Sequence, residues 1–479
     1  MHAIKPLRIV CRLAVAVLVL LTSTFIAVSS VALQSELPKG QIVPKVISKS
    51  DPSKSYALYL PSNYTASKKW PIVYGFDPGG RGLSAVEHFK DGAEKYGYIV
   101  VGSNDSRNGP NVPLKDIIVD LWQDTRSRFS IDDQQIYTAG FSGGARVACG
   151  VGYMFSGSVA GVIACGAGFP PAVSPSTSTP FVLFGTAGVE DLNYFELKTL
   201  GHNLDAFSIP NRIATFDGGH AWAPVSLCTE AIEWMQLQAM KSGRRTRDEG
   251  IINSLFNGEL AKAKADESAE KVYAAYLDYS ALTKDFKGLK DITFYEKRVS
   301  GLRNTKEVKS AIKDEDNEQR EQGDLEKLFV SLLNGMTRAS ASTSGSKSMM
   351  QDLIDGLKKQ SEDQQNTSKR LVARRSLTSF SIMTSEQAAE FMASTRYFEA
   401  ATYLSVATLI QPNNARLSFN LARAYSLSKQ RKEALDALNK AIEKGFTDVK
   451  QLESNKDFDY IREDPQFKNL VATLKGKQQ

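Results

Sequence analysis

This chain is poor in the residues that hold metals and in charge of one sign. Its 479 residues include four histidines and four cysteines. No Cys/His group has metal-ligand spacing, so a zinc site is not expected. Lysine and arginine number 59 against 53 acidic residues, a formal net charge of +6. So slight a balance, with no dense basic run, leaves no electrostatic footprint for a nucleic-acid partner. Cys11 falls in the leader, and Cys149, Cys165 and Cys228 are too few to close an even disulfide framework. Their small or apolar neighbours read as buried thiols, with one pair involving Cys228 left open for an oxidising compartment. Proline nearly vanishes beyond Lys241, where only Pro412 and Pro465 occur. The turn-rich pattern that precedes Lys241 cannot continue there, and helix formers take over.

The length implies two or three domains. Residues 1–33 read as an export leader. Lys5, Arg8 and Arg12 precede the apolar run 13–21, and Ser30-Val31-Ala32 offers a small-residue cleavage site. No charge occurs between Arg12 and Glu36, so residues 9–33 also suit an uncleaved membrane anchor. Either reading expects a periplasmic or extracellular protein.

From 43 to 241, short β-branched or aromatic runs alternate with amphipathic stretches. Such runs stand at 56–60, 70–74, 98–101, 135–138, 162–165, 181–184 and 212–216, most of them bounded by Gly, Pro, Asn or Asp. Helical spacing links Ile117, Ile118, Leu121 and Trp122, and again Ala231, Ile232 and Met235. Strands alternating with helices predict an α/β fold with a doubly wound, mostly parallel sheet. Residues 242–383 predict a helical, polar, partly flexible region, with helices near 251–265, 268–283, 325–333 and 349–359 and a loop at 339–348. In 384–477 a motif recurs at an offset of 34: Ala400, Leu404 and Ala407 correspond to Ala434, Leu438 and Ala441. That period and its small residues resemble tetratricopeptide repeats, all-α units that bind protein partners.

The most informative run is Gly140-Phe141-Ser142-Gly143-Gly144. It places a serine in G-x-S-x-G between a strand signal and a helix signal, the context of a nucleophile elbow. A base should follow in sequence. His88 precedes the serine, and His202 lies in a polar helix-like stretch. His220, in Gly218-Gly219-His220-Ala221-Trp222, follows the last strand signal and suits the role. The acid should come from the preceding loop, where Asp191 is the first choice, then Glu190 and Asp205. Asp217 reads as a turn cap. Oxyanion donors are expected from the N–H of Gly143 and from the Gly79-Gly80 loop after an early strand.

These segments, with Tyr56-Ala57-Leu58-Tyr59-Leu60-Pro61 and Pro71-Ile72-Val73-Tyr74, resemble the α/β-hydrolase superfamily. Within it, they resemble the polyhydroxybutyrate-depolymerase, feruloyl-esterase and related carboxylesterase group. The resemblance implies ester hydrolysis through an acyl-enzyme, without cofactor, on a small ester, a polyester or a polysaccharide ester. Two segments depart from the group's pattern. Asp77-Pro78-Gly79-Gly80 replaces the usual His-Gly-Gly, and the acid loop carries the additional residues 187–189. No lid insertion is evident between Gly168 and Phe181. Two rival readings stay open: an envelope scaffold carrying a catalytically degenerate hydrolase domain, and a serine peptidase of the same fold.

Overall fold

A computed structural model describes residues 37–109, 111–337 and 343–476. The expected leader, 1–33, lies outside the described residues. Among the described residues no helix is long and apolar enough to cross a membrane.

The first half alternates strands and helices in the order β1 (Ile42–Ile47), β2 (Ser55–Tyr59), β3 (Trp70–Phe76), α1 (Gly82–Tyr96), β4 (Ile99–Ser103) and α2 (Leu114–Arg128). It continues through β5 (Ile131–Phe141), α3 (Gly143–Met154), β6 (Val159–Cys165), β7 (Val182–Gly188), α4 (Tyr194–Ala206), β8 (Asn211–Phe216) and α5 (Val225–Lys241). The strands form one sheet ordered β1-β2-β4-β3-β5-β6-β7-β8. Only β2 runs against the others. That is the topology of the α/β-hydrolase fold.

Burial explains the residue choice. Every residue of β3 and β6 is buried, because helices cover both faces of a parallel sheet and leave no polar side. Val73, Tyr137, Ile163 and Phe184 pack with Phe89 of α1 and Ile232 and Trp234 of α5 on one face. Side chains alternate along a strand, so Tyr74 points to the other face, where it stacks on Trp122 of α2 at 5.4 Å. Thr138 on that face donates to the Ala148 carbonyl of α3. Cys149, Cys165 and Cys228 are buried free thiols.

The second half is helical: α6 (Glu249–Ser268), α7 (Val272–Phe286), α8 (Thr293–Arg303), α9 (Lys306–Thr337), α10 (Thr343–Ser361) and α11 (Thr367–Ala393). Beyond them come α12 (Tyr397–Ile410), α13 (Ala415–Leu427), α14 (Arg431–Glu443), α15 (Val449–Ser454) and α16 (Pro465–Gly476). The expected short helix at 325–333 is the end of the 32-residue α9. Its first half is so polar that no apolar stripe announces it in the sequence. Part of the expected 339–348 loop, residues 339–342, lies outside the described residues, and α10 begins at Thr343. The boundary drawn at 383/384 falls inside α11. Phe380 of that helix stacks on Phe329 of α9 at 3.8 Å, while Ala388 lies in the core that holds Ala400 and Leu404, so one helix serves both expected regions.

The 34-residue repeat is also visible in the backbone. Thr395 and Lys429 both take φ 61°. Arg396 N–H donates to Phe391 O and Gln430 N–H to Tyr425 O, each at 2.8 Å. Asn414 caps α13 through Leu417 N–H, and Asp448 caps α15 through Gln451 N–H.

Gly40–Gln479 hold together as one compact unit. At the junction of its halves, Leu237 and Met240 of α5 pack against Ile252, Leu282, Phe286 and Ile292. Beside them the Arg212 guanidinium meets Glu259 at 2.7 Å, Asp285 at 2.8 Å and Glu230 at 2.5 Å. Burial would push Arg212 down, but the carboxylates of Asp285, Glu259 and Glu230 outweigh it and push the group up. One cation cannot balance three anions. Burial raises Glu259 to about 7 against the pull of Arg212, and its Oε2 has no hydrogen-bond partner.

A carboxyl whose folded-state pKa lies above its unfolded value stabilises the fold below the unfolded pKa. That contribution is lost as pH rises through the folded value. The shift from 4.5 to about 7 corresponds to roughly 3 kcal/mol that disappears across that window. Glu259→Gln is therefore expected to match wild type near pH 5 and to unfold at a higher temperature near pH 8. Thermal melts at both pH values test this. A gap of the same size at each would refute it.

Candidate active site

Ser142 sits where β5 turns into α3, with φ 53° and ψ −123°. A non-glycine residue in that region stores about 1–3 kcal/mol and must be held there by its surroundings. Here the Ser142 N–H donates to Cys165 O at 2.8 Å. A Cβ on Gly140 would stand 2.1 Å from Gly144 O, and one on Gly144 would stand 2.1 Å from Phe76 O. Only glycine at both positions lets β3, β5 and α3 close around the serine.

His220 lies on the loop after β8. Its Nε2 is 2.8 Å from Ser142 Oγ, and its Nδ1 is 3.0 Å from each Asp191 carboxylate oxygen. Asp191 is fully buried, and its Oδ1 also accepts the Asn193 N–H at 2.8 Å. Phe141 packs against the imidazole at 4.7 Å. Three side chains spaced far apart in sequence thus form one hydrogen-bonded line.

The other candidates stand elsewhere. Glu190 pairs with Arg374. Asp205 accepts from Asn211 and Lys284. Asp217 and His202 are exposed on the surface. His88 contacts its own helix at Ser84 O and stacks on Trp222. Among the described residues, no group of three His, Cys, Asp or Glu side chains could hold a metal ion.

Gly143 heads α3, where first-turn N–H groups have no intrahelical acceptor. The expected Gly79-Gly80 contribution is not found. Gly79 N–H donates to Asp77 Oδ1 at 2.8 Å and Gly80 N–H to Asp77 O at 3.0 Å, and neither residue lines the cleft. Gly80 thus turns to a main-chain carbonyl, and Gly79 to the Asp77 carboxylate. Burial pushes Asp77 up, but hydrogen bonds from Arg81, Trp222 and Gly79 outweigh it and keep its carboxyl below the ordinary value. An acceptor this strong collects the Gly79 N–H, the Arg81 guanidinium and the Trp222 indole N–H.

Asn108 stands beside Gly143 instead. A Cβ on Gly143 would come 2.0 Å from Asn108 Oδ1. The Asn108 main chain is tied to Pro78 O at 2.8 Å, and its Nδ2 donates to Glu386 of α11 at 3.3 Å. Nothing in the local sequence marks Asn108 for this place.

The serine opens into a cleft of about 950 Å³. Its floor is largely apolar, with Ile118 of α2 and Val147, Val151 and Met154 of α3. Its wall is one face of α11, formed by Ile382, Ser385, Glu386, Ala389 and Glu390. Residues 168–181 form neither helix nor strand, and the cleft is walled by a helix from the other half of the chain.

No protein-family model matches the chain, and no curated protein matches it. Among solved structures the chain is similar to a ferulic acid esterase at 17% identity, covering 41% of this chain and 98% of that one, with a TM-score of 0.36. It is similar to an S-formylglutathione hydrolase from Staphylococcus aureus at 12% identity, 42% and 98% coverage and a TM-score of 0.34. A third is the acetyl ester-xyloside bifunctional hydrolase from Caldicellulosiruptor lactoaceticus, at 18% identity, 42% and 99% coverage and a TM-score of 0.33.

Proposed function

We propose that this chain is an exported serine hydrolase that cleaves a carboxylic ester through an acyl-enzyme. The observation that carries the reading is the hydrogen-bonded line Ser142–His220–Asp191 on a strained strand-to-helix turn. Ser142 Oγ attacks the ester carbonyl while its proton passes to His220 Nε2. Asp191, sealed from water, fixes the tautomer with hydrogen on Nδ1 and stabilises the imidazolium. The oxyanion is received by the Gly143 N–H, with Asn108 Nδ2 as the second donor in place of the Gly79-Gly80 loop. His220 returns the proton to the leaving alcohol, then activates water against the acyl-serine.

The leader supports export, by a cleaved signal or a retained anchor, and N-terminal sequencing of the mature protein separates the two. The repeats at 384–477 have the period of tetratricopeptide units, and we assign them to binding a protein partner. The inward-turned Gly79-Gly80 loop favours the rival, a scaffold with a degenerate hydrolase domain.

Fluorophosphonate labelling and a panel of p-nitrophenyl esters of rising acyl length decide between them. Wild type is expected to be labelled and to hydrolyse the shorter esters. Ser142→Ala is expected to lose both activities by at least about 10³-fold while remaining folded. Labelling that persists in Ser142→Ala, or is absent from wild type, would sink the enzyme reading.

A further inference from the structure

Asp191 lies in the turn between β7 and α4, and that turn is gripped from outside the α/β half. Arg375 of α11 donates its Nε–H to Val189 O at 2.7 Å. The neighbouring Arg374 pairs with Glu190. Gln322 of α9 donates Nε2–H to Leu192 O at 3.2 Å. From the opposite side, Val189 N–H and Glu190 N–H donate to Phe216 O and Gly218 O, each at 2.9 Å. The acid turn is therefore clamped between the histidine loop and two helices of the second half.

Arg375 is the strongest of these contacts, and its environment is built for it. Its side chain is 2% exposed. A buried guanidinium is costly unless it is paired and hydrogen-bonded. Glu318 Oε2 accepts its Nη1–H at 2.8 Å, and the rings of Tyr194 and Phe195 lie 4.3 and 4.8 Å from it. Those two rings open α4, three and four residues after Asp191. One planar group thus ties the backbone before the acid to the helix after it. A lysine ammonium cannot make two divergent bonds and stack on two rings at once.

We propose that Arg375 is a positioning residue for catalysis, through which the helical half sets the Asp191 carboxylate against His220 Nδ1. The inference rests on the serine-hydrolase reading above. With both carboxylate oxygens 3.0 Å from Nδ1 and the acid fully buried, there is little slack in the turn. A misplacement of about 1 Å is enough to cost on the order of 100-fold in rate. It would also weaken the imidazolium, because the stabilising anion has moved away.

The test measures the second-order rate of Ser142 labelling by a fluorophosphonate across pH, on the full chain. Wild type, Arg375→Met, Arg375→Lys and Gln322→Met are compared, with thermal melts to establish folding. Gln322→Met removes a weaker clamp and keeps the test alive should both Arg375 variants fail to fold. The Arg375 variants are expected to label about 10- to 100-fold more slowly. Their acid limb should move to lower pH, because the buried anion then stands farther from the imidazolium it stabilises. Gln322→Met should move in the same direction by less. The other charged groups on the cleft, Arg107, Lys115, Arg146, Glu386 and Glu390, are unchanged in every variant, and Arg375→Lys keeps the charge, so a limb moved in that variant as well as in Arg375→Met reports the acid. A merely structural role would lower the amount of active protein and leave the limb in place, and that outcome overturns the inference. So does labelling within about threefold of wild type in a folded variant. An unlabelled wild type overturns the hydrolase reading and this inference together, whereas a labelled wild type with an unmoved limb overturns this inference alone.

Discussion

Asp191→Asn is expected to lower ester turnover by about 10⁴-fold while leaving the fold intact. The fold should survive because the asparagine Oδ1 can still accept the Asn193 N–H that Asp191 Oδ1 accepts at 2.8 Å. The rate should not. An amide facing His220 Nδ1 presents a donor, which drives the imidazole proton onto Nε2. That nitrogen is 2.8 Å from Ser142 Oγ and must be bare to take the serine proton. The neutral amide also removes the charge that stabilises the imidazolium, and together these effects cost about four orders of magnitude. Turnover of a p-nitrophenyl ester measures the loss. Asp205→Asn is the matched control, because Asp205 serves Lys284 and Asn211 at the surface, and it should stay within about threefold of wild type. Were Asp205→Asn to lose activity and Asp191→Asn to keep it, the assignment of the acid would be wrong.

A chain ending at Arg247 is expected to be insoluble, or to show no Ser142-dependent labelling after refolding. Cutting there strips the cover from Leu237 and Met240, which pack on Ile252, Leu282, Phe286 and Ile292. Returning two such side chains to water costs about 3–6 kcal/mol. That is a large part of the roughly 5–15 kcal/mol by which a domain is stable. Trp234 loses its Asp285 acceptor, and Tyr194 and Phe195 lose the Arg375 guanidinium above them. The result is a contiguous apolar patch of the kind that drives aggregation. Any fraction that folds would still lack Arg375 and Gln322 at the acid turn. Soluble expression, a single cooperative melt and wild-type labelling in the truncated chain would refute the expectation.

The sheet was legible because its signals are local. Runs such as Val162-Ile163-Ala164-Cys165 are apolar throughout because both faces of that strand are covered, and each expected run lies on or beside an observed strand. The serine turn was legible for the same reason. Gly140 and Gly144 are needed within two residues of Ser142, so the requirement is written in one pentapeptide. The helix limits were harder. The polar start of α9 has no apolar period, since Val308, Glu318 and Gln322 are its only buried residues before Phe329. Its helical state follows from what it packs against.

The site's periphery was legible in part, and it failed at one local contact and at several long-range ones. Gly79 and Gly80 have the composition of an oxyanion loop, but the neighbouring Asp77 draws both N–H groups inward. Asn108, Gln322 and Arg375 are ordinary residues in sequence, and each is held by a partner far along the chain. For Asn108 that partner is Glu386. For Arg375 it is Val189.

By itself the sequence determined the alternation of strands and helices, the turn that carries Ser142, the order of serine, acid and histidine, and the 34-residue period. All of these are patterns of spacing, and spacing is what local backbone geometry reads. Only the tertiary structure decided that α11 walls the cleft, that Asp191 stands against His220 while Glu190 turns to Arg374, and that the helical half holds the acid turn. Those outcomes depend on which distant surfaces can bury each other and which buried charges find partners, and neither is encoded in the neighbourhood of any one residue.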